Sequence, residues 1–257
     1  MKVLLAVDKS LHAEQALLAL THCFSSAEVE LLHVVDLEAN PHPHLSAALI
    51  EEYHQKLRKV LQDEAGQFLP RCRELLLPVF RNVCVTVREG RAAEAILDAA
   101  ASSGADLIVL GSRGLSAIQS LLLGSVSYRV AHEAGCPVLI IKRELPVIRK
   151  ILLAVDRSHG AGRAVEFLAG KSLVPPCPVL ALTVSPSRLL AELLPESVRR
   201  HAQESASAYL NEVERRLATR GFAVEPRIVE GDPAAEILLN AEMEGIDLVV
   251  TGSRSIH

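Results

Sequence analysis

Asp106 to Ser125 reads DLIVLGSRGLSAIQSLLLGS. An apolar run, Leu107 to Leu110, leads into Gly111 and Gly114, and Gly124-Ser125 follow after nine further residues. A short run of this kind, bounded by turn residues, fits a strand buried on both faces of a parallel sheet. Glycine admits positive φ and lets another group approach where a Cβ would stand. A strand that ends in such a loop and feeds a helix presents unpaired N–H groups, which suit a phosphate. Spacing alone leaves two readings open, a phosphate cradle and an ordinary strand-to-helix turn.

Outward from this stretch the chain alternates. Val3 to Val7 and Val29 to Val35 read as strands by the same test, and Val83, Val85 and Val87 mark a third with Cys84 as a buried member. Ser10 is placed to cap a helix in which Ala13, Ala16, Leu17, Leu20 and Phe24 recur at helical spacing. Asn40-Pro41-His42-Pro43-His44 reads as a loop, and a long helix over Leu45 to Phe68 is predicted to break near Pro70. Ala92 to Ala101 and Ser125 to Ala134 are helices, the second closed by Gly135. Val138 to Ile141 is a last strand at a sheet edge. This order implies an open parallel sheet wrapped by helices.

The pattern then starts again. Lys2-Val3-Leu4-Leu5-Ala6-Val7-Asp8 returns as Lys150-Ile151-Leu152-Leu153-Ala154-Val155-Asp156. Gly90 to Leu97 returns as Gly231 to Leu238, and Asp106 to Arg113 as Asp247 to Arg254. Blocks that recur in one order mark a tandem duplication of one α/β unit. The expected domains are 1–144 and 148–257, with a hinge around Arg143 to Arg149. The second is expected to lack the remainder of the loop, the helix after it and the last strand. Its strand Asp247 to Thr251 would then form an edge.

At 257 residues, 49% of them apolar, the chain can build two ordinary cores, made mostly of Leu, Val, Ile and Ala because Trp is absent. A net charge of −4 gives no broad field for nucleic acid, so an anion must be held by local geometry. The five cysteines form no C-x-x-C and read as reduced thiols, and no run approaches the roughly 18 apolar residues of a membrane span. The expectation is a cytoplasmic protein with neither membrane nor nucleic-acid partner.

Ala6-Val7-Asp8 after strand one, Leu32-His33-Val34-Val35 in strand two, and Gly-x2-Gly-x9-Gly-Ser after strand four together resemble the universal stress protein family. The resemblance covers the first half from end to end and the second up to its loop. It implies two flavodoxin-like, adenine-nucleotide alpha-hydrolase-like sheets, doubly wound with strand order 3-2-1-4-5, the second truncated. ATP-binding members use the glycine loop for ribose and phosphates, and the strand-one aspartate and strand-two position for adenine and ribose. Carried over, those residues are Asp8, Val34, Gly111, Gly114, Gly124, Ser125 and Val126, with Ala6 and Arg113 beside them. Mg²⁺ would accompany the phosphates. The resemblance further implies a stress-response, nucleotide-dependent sensor or interaction module, and homo-oligomers or paired domains joined through edge strands. A scaffold that binds no nucleotide and a slow ATPase stand as alternatives.

Other motifs carry less. Gly170-Lys171-Ser172 imitates the end of a P-loop, but Val165 stands where the first glycine should be. An AMP-forming ligase or sulfurtransferase would need a Ser-Gly-Gly-type loop after strand one, which Asp8-Lys9-Ser10-Leu11 does not offer. His42 and His44 read as solvated loop histidines, and His33 as a buried histidine with one hydrogen bond. Asp156 reads as a helix N-terminal acid more readily than as a ligand residue.

Overall fold

The computed structural model describes residues 1–24, 27–37, 47–114, 123–170, 175–187 and 193–253. They form two compact units, Met1–Pro146 and Val147–His257. His42 and His44, and Lys171 and Ser172 of the P-loop decoy, lie outside the described residues.

In the first unit the elements run β1 (Lys2–Ala6), α1 (Leu11–Cys23), β2 (Glu28–Val35), α2 (Ala47–Leu76), β3 (Asn82–Glu89), α3 (Ala92–Ser103), β4 (Leu107–Gly111), α4 (Ser125–Glu133) and β5 (Val138–Ile141). The sheet is wholly parallel in the order β3-β2-β1-β4-β5. Its central strands are apolar throughout because helices cover both faces: Leu4, Leu5, Ile108 and Val109 are fully buried. Ser10 caps α1 by accepting the Ala13 N–H at 3.2 Å, and Ala13, Ala16, Leu17 and Leu20 form its buried stripe. On the other face, Leu4, Ala6, Leu32, Ile108 and Leu110 pack with Ala93, Ile96 and Ala99 of α3 and Val130 of α4.

The second unit repeats the plan with β6 (Ile151–Ala154), α5 (His159–Gly170), β7 (Pro178–Ser185), α6 (Glu196–Ala218), β8 (Ala223–Glu230), α7 (Pro233–Met243) and β9 (Leu248–Thr251). Its sheet, also parallel, runs β8-β7-β6-β9 among the described residues, and β9 lies at an edge as expected. The smaller sheet and the same winding make both units doubly wound α/β folds.

Two expectations are corrected. The α2 helix does not break near Pro70 but runs through it to Leu76. An interior proline costs a helix about 3 kcal/mol. Ala65, Leu69, Cys72 and Leu76 bracket it on one buried stripe, and each buried leucine alone contributes roughly 1.5–3 kcal/mol. Burial on both sides wins. Cys84 is exposed, not buried. It lies on the edge strand β3, in register with Glu30 of β2, on the face where α3 packs over β2 and β1 and stops short of β3. Its edge position leaves that face uncovered.

Candidate functional site

Val7, the residue after β1, still belongs to the sheet: its N–H donates to Leu32 O at 2.9 Å. Its carbonyl accepts from His33 Nδ1 at 2.8 Å, so that nitrogen carries the proton. The single hydrogen bond expected for His33 is this one; the ring is partly buried, edge-on to Phe68. Thus fixed, β1 releases Asp8 at the carboxyl rim of the sheet, where ligands bind in open α/β folds. Asp8 Oδ1 accepts the Ser10 N–H at 2.9 Å, a side-chain turn that leads into α1.

The loop after β4 meets this turn closely. A Cβ on Gly111 would stand 2.5 Å from the His12 carbonyl carbon and 2.6 Å from its oxygen. One on Gly114 would stand 2.7 Å from Asp8 Oδ2, and one on Gly124 would be 3.4 Å from Arg113 Cα. None of these glycines adopts left-handed φ. Close approach, not backbone freedom, is what the pattern provides. Ser10 Oγ donates to Arg113 O at 3.3 Å, tying the two loops together. The middle of the loop, 115–122, lies outside the described residues.

At its far end, Gly124 caps α4 with no side-chain partner, and the first helical bond is Tyr128 N–H to Gly124 O at 2.9 Å. The amides of Ser125, Val126 and Ser127 therefore precede any intrahelical acceptor. With the positive end of the helix dipole behind them, they form an anion-seeking group. Val34 and Val126 are half-buried against the cluster that contains Ala6, so these three share one apolar wall. The structure thus joins Asp8, Gly111, Arg113, Gly114 and Gly124 around one crossing, with Ser125 at the helix start and Ala6, Val34 and Val126 on the wall.

Charge is distributed unevenly. Arg113 Nε is buried without a hydrogen-bond partner among the described residues. Such a group costs about 1–3 kcal/mol unless something satisfies it. Arg129 of α4 is otherwise engaged: hydrogen bonds to Glu133, then Glu94, hold its guanidinium above the usual range. The Cys72 thiol, pushed up to about 11 by burial and then by Glu14, is protonated at neutral pH and is no nucleophile. No group of three or more metal-ligating side chains occurs among the described residues. No described helix is long and apolar enough to cross a membrane.

The second unit reproduces the first turn of this architecture. Asp156 Oδ1 accepts the Ser158 N–H at 3.0 Å, Ser158 caps α5 through Ala161, and Val155 N–H donates to Leu182 O. Thr183 Oγ1, at the position of His33, donates to Val155 O at 2.9 Å. A Cβ on Gly252 would stand 2.3 Å from the Gly160 carbonyl carbon, an even tighter crossing than at Gly111. Asp156 is exposed, and Ser255, at the Gly114 position, lies outside the described residues.

Comparison with known proteins agrees with this duplicated geometry. The model of the Universal stress protein family matches residues 1–142 and again 148–257. The chain belongs to the universal stress protein family. A universal stress protein of Thermus aquaticus is 38% identical over 144 residues, which is 54% of this chain and 97% of that protein. Universal stress protein YxiE of Bacillus subtilis is 31% identical over 145 residues, 55% of this chain and 98% of its own length. A universal stress protein of Archaeoglobus fulgidus, solved as a crystal structure, aligns with 100% of this chain and 86% of its own at a TM-score of 0.71 and 22% identity. That likeness is one of fold.

Sequence reasoning passed over Ser112 and Ser127, both buried serines that hold the glycine loop. The signal was available in Gly124-Ser125-Val126-Ser127: a hydroxyl in the first turn of a helix often turns back onto the backbone.

Proposed function

We propose that the first unit binds an adenine nucleotide, ATP with Mg²⁺ on its phosphates, and that binding governs a stress-response sensor or interaction module. The observation that supports this best is the crossing of Gly114 over the Asp8 carboxylate, where a Cβ would stand 2.7 Å from Oδ2. It brings a carboxylate suited to sugar or base hydroxyl and amino groups beside a cradle suited to phosphate. Asp8, Ala6 and Val34 would hold the adenosine end. Gly111, Arg113, Gly114, Gly124, Ser125 and Val126 would hold ribose and phosphates. The orphaned Arg113 Nε fits an anionic ligand, since a phosphate oxygen is the acceptor it lacks. Mg²⁺ needs no cage of protein carboxylates when phosphates supply most of its ligands.

Isothermal titration of the full chain with ATP and Mg²⁺ tests the reading. Saturable heat with one site per chain is expected, and no heat overturns it in favour of a scaffold without nucleotide. Self-association along an open sheet edge, β5 or β9, accompanies the proposal; a concentration-independent monomer in light scattering would refute it.

A further inference from the structure

We infer that Ser127 is a positioning residue that clasps the neck of the glycine loop and so sets the separation of its two phosphate-facing ends. The inference rests on the nucleotide reading for what the clasp serves, and on geometry for the clasp itself. Ser127 stands in the first turn of α4 and is 2% exposed. Its Oγ lies 2.8 Å from Ser112 O and 3.0 Å from Gly124 O. Both are acceptors, so Ser127 Oγ is the donor and one hydroxyl serves the two carbonyls.

Ser112 is the other half of the clasp. It is also 2% exposed, and its N–H donates to Ile141 O at 2.8 Å, fixing it to the end of β5. Its carbonyl also receives the Gly124 N–H at 2.8 Å. With Ser127 as second donor, both lone pairs of that oxygen are used. Ser112 and the Gly124–Ser127 turn therefore meet at one buried carbonyl.

A serine satisfying only itself would need nothing beyond Gly124 O in its own helix. The shorter contact instead reaches across the loop. Arg113 and Gly114 follow Ser112 directly, while Ser125 and Val126 lie between Gly124 and Ser127. Donors from the two ends can converge on one phosphate only if that carbonyl holds them at fixed distance, and prior ordering of this kind spares the ligand the cost of imposing it.

The test compares the unaltered chain with Ser127→Ala and Ser127→Thr, reading hydrogen exchange at the hydrogen-bonded amides of Gly124 and Tyr128 and ATP affinity by titration. Ser127→Ala is expected to speed exchange at those amides while β1 and β4 stay protected, and to weaken ATP binding by about fivefold, the worth of one buried hydrogen bond. Ser127→Thr, which keeps the hydroxyl, restores both. Unchanged exchange and affinity in Ser127→Ala overturn the inference. So does loss of protection throughout the sheet, which would make the residue structural only. Wild-type protein that binds no ATP defeats the nucleotide reading instead, and the exchange pattern still decides the clasp.

Discussion

The two units share the hydrogen bonding of their first turn and differ, among the described residues, in how far its aspartate is covered. In both, an aspartate after the first strand accepts the N–H two residues on, at 2.9 Å for Asp8 and 3.0 Å for Asp156. In both, a glycine after the fourth strand crosses the first turn of the first helix with no room for a Cβ. Around Asp8, though, Gly114 and Arg113 close in, whereas Asp156 is exposed. The shared part is what the winding of the sheet requires, and the cover over Asp8 is what the nucleotide reading proposed above would use. The outer strands diverge too. On β3, Cys84 is exposed and Thr86 bonds Glu30 of β2, while Arg227, at the Thr86 position on β8, bonds Asn240 of α7 and Glu244 just after it.

Breaking the shared crossing should do the most damage. Gly111→Ala and Gly252→Ala each drive a Cβ into backbone, at 2.5 and 2.3 Å, and each should cost its own unit about 3 kcal/mol. Limited proteolysis along a urea series checks this. Only Gly111→Ala should also abolish ATP binding. If Gly252→Ala removes it as well, the division of labour between the units is wrong.

Gly114→Ala sharpens the difference. The obstacle is Asp8 Oδ2, the movable end of a side chain, so stability should change by under about 1 kcal/mol. ATP affinity should fall about tenfold as the carboxylate is displaced, and titration beside a thermal melt separates the two effects. A smaller step follows with Asp8→Asn, which keeps the acceptor for Ser10 N–H but loses the charge. Roughly fivefold weaker ATP binding is expected, against no change for Asp156→Asn. Equal losses in both variants would show that the two aspartates do the same work.

The smallest expected effect lies away from the site. Hydrogen bonds from Lys150, then Arg227, hold the Glu244 carboxyl below the usual glutamate range, although its side chain keeps 26% of its exposure. A carboxylate with a lowered folded pKa stabilises above its unfolded value, near 4.5, and loses that contribution as pH falls through the folded value. Urea midpoints of wild type and Glu244→Gln should therefore differ at neutral pH and converge under acid. A gap that persists under acid would mean that packing, not charge, is what Glu244 supplies.

Much of this was legible in the sequence, for physical reasons that differ by residue. Strands such as Leu107–Leu110 and the Ser10 cap announced themselves because local pattern and tertiary role coincide there. Pro70 misled because helix propensity is local, while the stripe that overrules it reaches from Ala65 to Leu76. Cys84 misled because alternation names a face without saying whether anything covers it. The loop glycines showed their positions but not their purpose: positive φ and close approach demand the same residue. Ser127 gave half its signal, since its place in the first helical turn suggests a bond back to the backbone, but its second partner, Ser112 O, lies across a loop.

The carbonyl that receives His33 in one unit and Thr183 in the other carries a further consequence. Val7 and Val155 sit just beyond strands that end at Ala6 and Ala154. In each, a side chain of the neighbouring strand supplies a donor past the end of the first strand. The sheet is in effect one rung longer than its backbone, and that rung is written in side-chain chemistry. An imidazole and a hydroxyl spell it equally well, so the two copies could drift apart at this position without either losing its aim. Exchanging the two letters should leave both units folded, whereas a valine in either place would shorten the ladder and let the aspartate wander.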